Sequence, residues 1–370
     1  MKRIQLLVSV LVSAAFCLAV EVHGDSLASY TGMLNQLRSE LTAKIPQGDA
    51  AADKLVASNA LDAKLVKYVV LSQATPQGLA EFAGQGRTQS ALIKRLLGDA
   101  DLMKQMLVAD GAKAPRGGAA QVGPAMAIYA DIQNASRKAR SGVLQRLALA
   151  IALEHAVPIG QRNPTAQTDA PETVDPVKRY LHYEKAYQDG ELDPAFDRLT
   201  TWDLRLVVDG NEPDWTLAWG RKMLRNYRPD HIYQDGYGWR YVGIVGSDVK
   251  YGSGDVKYDL PELQFFQNIL MNGGVCGRRA FFGRFSLRAF GIPTTARPSR
   301  GHAALAHWTP KGWVVNLGGG WGCGWTKTLY NKDKDFLAST QARNDMKGYL
   351  KVKRAYWIGD VLGEKRTYGE

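Results

Sequence analysis

Apolar residues recur at helical spacing from Ser26 to about Leu153. Leu55, Leu61, Leu65 and Val69 fall near one face; Leu92, Leu96, Leu102, Met106 and Leu107 suggest two short helices; Ala125–Ile132 and Val143–Leu153 continue the pattern. Breaks fall at Pro46-Gln47-Gly48, Thr75-Pro76, Gly98-Asp99 and the stretch from Lys113 to Gly118. The spacing predicts a helical N-terminal domain over residues 25–159. His155, before Pro158, reads as a helix-end residue, and no catalytic residue types cluster here. A Pro/Thr/Gln/Asp-rich stretch, 160–176, reads as a linker, and the second domain covers 177–370. There the pattern predicts a strand at Leu204–Val208, helices at Trp215–Leu224, Glu262–Leu270 and Cys276–Phe290, and strands at Thr294–Arg297, His302–Trp308 and Trp313–Leu317. Helices followed by strands imply an α+β fold. The end of the chain, from Gly359, is polar and carries no recognisable module.

Lys2 and Arg3 precede an apolar run from Ile4 to Val20, with small residues before Asp25. This reads as a signal peptide over residues 1–24 and an exported protein, periplasmic or extracellular. No later stretch is apolar for long enough to span a bilayer. The formal net charge is +11, but no lysine-rich tail or aromatic–basic repeat accompanies it, which argues against nucleic acid as a partner. Arg278, Arg279, Arg284 and Arg288 crowd one helix, with Arg297 and Arg300 close behind. A solvated helix face accounts for most of them; a subset near the site could draw in an anionic substrate.

After removal of the signal peptide the cysteines are Cys276 and Cys323. Cys276 follows Asn272-Gly273-Gly274-Val275 and opens a helix that Gly291 and Pro293 end. In the first turn of a helix, unpaired backbone N–H groups and the positive dipole end stabilise an anion, and the thiolate is the nucleophile. Two other readings stand beside this one. In an oxidising compartment Cys276 and Cys323 could form a disulfide. A zinc site of Cys276, His302, His307 and Cys323 would lack the close Cys pairs of common structural sites.

The stretch Cys276…Ala280-Phe281…Phe285…Arg288-Ala289-Phe290-Gly291-Ile292-Pro293-Thr294, with Gly301-His302-Ala303-Ala304 and Gly312-Trp313-Val314-Val315-Asn316, resembles the transglutaminase-like superfamily in an exported bacterial form. The likeness covers roughly Leu263 to Leu317. It implies a papain-like or transglutaminase-like core, with a helix-borne cysteine packed on an antiparallel sheet. It also implies Cys276 as nucleophile, His302 as general base and acid, and Asn316 as the residue orienting the imidazole. The chain departs from the family in having Asn316 where many members have aspartate, Ala304 in place of a tryptophan, and three rather than four residues from Trp313 to Asn316. A hairpin pairing Trp308 with Trp313 would set His302 and Asn316 on opposite faces, so an offset register is expected, with the two together. His307 is the alternative base. Trp239 is the candidate oxyanion aromatic, with Gln264 and Gln267 as weaker ones.

These residues imply a thiol enzyme that cleaves a peptide or amide bond through an acyl-enzyme, with a peptide or protein substrate. Hydrolysis is favoured over amine transfer, since no amine-binding tunnel is identifiable. No cofactor and no metal are expected, since no acidic loop of calcium-binding form occurs. The alternative is a non-catalytic peptide- or glycan-binding protein of the same fold, marked by a Cys276–Cys323 disulfide.

Overall fold

The computed structural model describes residues 26–46, 48–162, 171–229, 249–252, 255–299, 302–316 and 333–365. The stretch expected to be a signal peptide (1–24), Trp239, Arg300 and Cys323 lie outside the described residues. The helices run α1 (Leu27–Thr42), α2 (Asp49–Ala57), α3 (Asp62–Ala74), α4 (Pro76–Ala83), α5 (Arg87–Gly98), α6 (Ala100–Val108), α7 (Val122–Ala135), α8 (Gly142–Glu154), α9 (Pro176–Gln188), α10 (Thr201–Val208), α11 (Asp214–Tyr227), α12 (Phe265–Asn272) and α13 (Cys276–Ala289). Strands β1 (Thr294–Ser299), β2 (His302–Thr309) and β3 (Gly312–Asn316) follow, then α14 (Asp333–Asn344) and α15 (Met346–Leu362). Mostly helical, with one small antiparallel sheet in the order β1-β2-β3, the architecture is mixed α and β.

Local chemistry explains several of the helix starts. Ser26, Asp99 and Asp345 cap α1, α6 and α15 with side-chain oxygens that accept first-turn N–H groups. Asp175 does the same for α9, with Pro176 in the first helical position. The stretch Leu204–Val208, predicted as a strand, is the body of α10. Its β-branched residues suit a strand, but the reciprocal capping box of Thr200 and Asp203 fixes a helix start. The described ends of the connection over 160–176 lie side by side. Gln161 N donates to Glu172 O at 2.7 Å and Val174 N to Ile159 O at 2.9 Å, which pairs its two ends.

One apolar core runs from Tyr30 in α1 to Val361 in α15, continuing across that connection through Leu147, Tyr183, Leu204, Phe285 and Leu305. The last helix returns to the first ones. Arg354 of α15 clamps Asp62 of α3 at 2.7 and 3.0 Å. Arg343 and Lys353 both reach Asp110, which also accepts from the Trp202 indole at 2.8 Å.

The sheet hairpin turns on Pro310 and Lys311, with Thr309 opposite Gly312 and Trp308 opposite Trp313. Gly312 has a positive φ of 116°, which suits glycine. Leu305 enters the main core, while Ala306 meets Trp313 and Phe336 in a separate cluster. The edge-on packing of Trp313 against Phe336 (5.0 Å) and Trp202 (6.0 Å) ties α14 and α10 to the sheet.

Candidate active site

Cys276 is the first residue of α13, and its thiol is free and half-buried. The N-cap residue Val275 is extended and supplies no side-chain acceptor, and the first turn carries no acidic residue. The open N–H groups of that turn therefore remain available to an anion beside the sulfur.

The turn before it admits only glycine. Gly273 has φ +71°, and a Cβ there would fall on the Lys250 carbonyl oxygen. At Gly274, φ +155°, a Cβ would come within 2.5 Å of the Arg278 Cδ. Gly274 N donates to Lys250 O at 3.0 Å, tying the turn to residues 249–252. Arg278 locks it from the other side: Nε donates to Gly273 O at 2.9 Å, and the guanidinium fork grips Asp259. Burial pushes the Asp259 carboxyl upward, but hydrogen bonds from Arg278 and Asn272 outweigh it and hold the group below its usual range. Phe265 meets Phe281 edge-on at 4.7 Å, and Phe266 stacks on Phe285 at 5.0 Å, fixing α12 on α13.

The arginines of α13 do not form the solvated face expected from the sequence. Arg278, Arg279 and Arg288 are all under 9% exposed. Arg279 donates to Val249 O at 2.7 Å, and Arg288 pairs with Asp209 and Glu212 at 2.5 and 3.2 Å. Each finds an acceptor on another segment, which is what makes its burial tolerable.

The chain reverses after α13 at Gly291, whose φ is +71°. β1 then runs to Ser299, which pairs with His302. Position 302 therefore stands at the start of β2, beside the end of β1. His307 pairs with Thr294 at the opposite end, about 17 Å further along β2 at 3.3 Å per residue. It is fully buried, and burial alone pushes its pKa down to about 4. The alternative base is thus at the opposite end of β2 from position 302.

The expected offset register is not formed. Trp308 pairs with Trp313, and Asn316 pairs with Leu305. Position 316 takes the parity of Leu305 and His307; position 302 takes that of Ala304 and Ala306, three residues further along the strand. The two-residue turn allows no bulge, so the spacing between Trp313 and Asn316 translates directly into this mismatch. The register does not set position 316 opposite 302. Gln264 and Gln267 form the reciprocal cap of α12, with Gln264 N donating to Gln267 Oε1 at 2.8 Å, and so have a structural task.

A cleft of about 710 Å³ opens in the helical region, lined by Arg95, Tyr129, Gln133 and Gln145 among others, and it shares no residue with this constellation. Among the described residues no helix is long and apolar enough to cross a membrane, and no group of three or more His, Cys, Asp or Glu could hold a metal ion. No family model matches the chain, and neither a curated protein nor a solved structure matches it.

Proposed function

We propose that this is an exported thiol enzyme of the transglutaminase-like kind, acting on peptide or amide bonds with Cys276 as nucleophile and His302 as general base and acid. The observation that supports the reading is a free, half-buried cysteine on the uncapped first turn of α13, a helix that leads into the hairpin whose second strand begins with His302. The Cys276 sulfur attacks the amide carbonyl after His302 takes its proton. The oxyanion forms beside the first-turn N–H groups of α13. His302 then returns the proton to the leaving amine, and water, activated by the same imidazole, cleaves the thioester to a carboxylic acid and the restored thiol. Asn316 orients nothing in this scheme, because its register position is not opposite His302. Export to the periplasm or the extracellular space, through the N-terminal signal, belongs to the same proposal.

The test is alkylation of the mature chain with iodoacetamide at pH 6 and pH 8, without reductant, followed by mass spectrometry of the Cys276 peptide. The expected result is labelling at pH 6 that falls at least tenfold in His302→Ala, with peptide hydrolysis lost in Cys276→Ala. Labelling that begins only after a reductant is added would sink the enzyme and favour a binding protein with Cys276 bridged to Cys323.

A further inference from the structure

The cleft of the helical region has a floor of buried polar groups. Tyr129 and Gln133 of α7 line it and are 3% and 8% exposed. Two arginines hold Gln133 from different elements. Arg95, in the last turn of α5, donates to its side-chain oxygen at 3.2 Å, and Arg140, in the turn between α7 and α8, donates to its backbone oxygen at 3.3 Å. With Oε1 so engaged, the two donors of the Gln133 amide nitrogen make no hydrogen bond among the described residues. The Tyr129 hydroxyl accepts from Gln145 Nε2 of α8 at 2.9 Å, and its own proton meets no acceptor among them. Burial pushes this hydroxyl above its ordinary range, so it stays a donor at neutral pH. Water can serve such donors, and a ligand that displaces it must supply equal acceptors.

The rim narrows the class of ligand. Arg95 and Arg140 are matched by Asp99 and Asp101 at the start of α6, so the lining favours neither an anion nor a cation. Leu102 and Ala130 are the aliphatic members of the lining, and an apolar ligand would strand the polar ones around it. Asp99 spends one oxygen on the Leu102 N–H at 2.9 Å and keeps the other for the cleft. Donors and acceptors therefore stand side by side without net charge. A hydroxyl is both donor and acceptor, and neighbouring hydroxyls on a sugar ring match the paired atoms of amide, carboxylate and guanidinium edges.

The length of the site exceeds one ring. A second cleft, of about 580 Å³, shares Gln105 and Gln145 with the first. Gln145 Nε2 lies 3.4 Å from Gln105 Oε1 at the junction, and the two clefts form one groove. We infer that this groove binds a neutral oligosaccharide, with Gln133 and Tyr129 donating to its oxygens and the arginine–aspartate rim holding it from both sides. The site uses neither Cys276 nor His302 and does not depend on the proposed thiol chemistry.

The test is isothermal titration calorimetry of the mature chain at pH 7 with maltotriose, cellotriose and tri-N-acetylchitotriose, and with triglycine as a zwitterionic peptide. Saturable binding of at least one trisaccharide is expected, tighter than that of its monosaccharide by about tenfold, since the chain spans both clefts. Gln133→Met and Tyr129→Phe should each weaken it by about tenfold, the loss expected for one hydrogen-bonding group. Circular dichroism checks that both variants fold; Tyr129→Phe keeps the buried ring and carries the test alone if Gln133→Met does not. Binding should persist in Cys276→Ala, which separates this site from the thiol. No heat with any of the three sugars, or affinity unchanged in the folded variants, overturns the proposal. So does saturable binding of triglycine that is lost in Tyr129→Phe, which would make the groove a peptide site.

Discussion

Gly273 and Gly277 stand on either side of the thiol and answer to opposite constraints. The first holds a left-handed backbone against the Lys250 carbonyl; the second lies in an exposed first helical turn with free space around it. Gly273→Ala should therefore cost about 2–4 kcal/mol in urea denaturation, from backbone strain and a clash that the Lys250 main chain cannot avoid. Gly277→Ala should raise stability by about 0.5–1 kcal/mol, since alanine is the better helix former and meets nothing. Equal effects at the two positions would show that the turn is not held as described. The register makes a second forecast. Asn316→Ala should leave kcat within about threefold of wild type, because its register position is not opposite position 302, while His302→Ala should lower it by about 10²-fold or more. A loss at Asn316 comparable to that at His302 would mean that the catalytic protein adopts a different strand pairing.

At the scale of elements, the last helix is an integral part of the first bundle. Asp62 of α3 is gripped by Arg354 of α15 and by Lys104 of α6 at 2.6 Å. Burial opposes its ionisation, yet the bonds from Arg354 and Lys104 hold the carboxyl below its usual range. Removing one partner of a buried pair strands the other, at about 3–5 kcal/mol. Arg354→Ala should approach that loss, and truncation after Asp345 should lower helical circular dichroism by more than the 17 residues of α15 account for. A truncated chain with the N-terminal helices intact would contradict the shared core. Much of this organisation was legible beforehand: the breaks at 46–48, 75–76 and 98–99, the helix opened by Cys276, and the three strands all follow from spacing and turn residues. The helix α10 was misread because β-branched residues outweighed the Thr200-x-x-Asp203 signal. The burial of the α13 arginines was not legible, since their acceptors Asp259, Asp209 and the Val249 carbonyl lie far away in sequence. The hairpin register was visible only as a choice, because one residue of turn length reverses every side chain beyond it.

For the whole molecule, three of the six histidines, His155 and His307 buried and His182 half-buried, are held neutral by the fold and contribute to its response to acid. His155 bonds the Val208 carbonyl through Nε2 at 3.0 Å, and burial, then the Arg179 charge, push its pKa down to about 4. Burial followed by Arg221 and Arg179 brings His182 to about 3, and burial alone brings His307 to about 4. In the unfolded chain each returns to about 6.5. Between these values the unfolded state binds more protons than the folded one, so the stability each neutral histidine preserves is complete above pH 6.5 and declines as the pH falls toward 4. Each contributes a slope of about 1.4 kcal/mol per pH unit, so the three together give about 4 kcal/mol per unit once the unfolded forms are protonated. Against a typical stability of about 5–15 kcal/mol, a drop from pH 7 to 5 is enough to bring the fold close to melting. The depressed carboxyls of Asp62, Asp110, Glu212 and Asp259 act in a separate window, losing their contribution only as the pH falls through and below the ordinary carboxylate range. Urea denaturation at pH 7.5, 6.5, 5.5 and 5.0 should show a flat upper limb and a steep lower one. In His155→Gln, whose amide can still donate to the Val208 carbonyl, the lower slope should fall by about a third. Equal unfolding free energies at pH 7.5 and pH 5.0 would mean that these rings are not held neutral in the core, and that the burial assigned to all three elements carrying them is wrong.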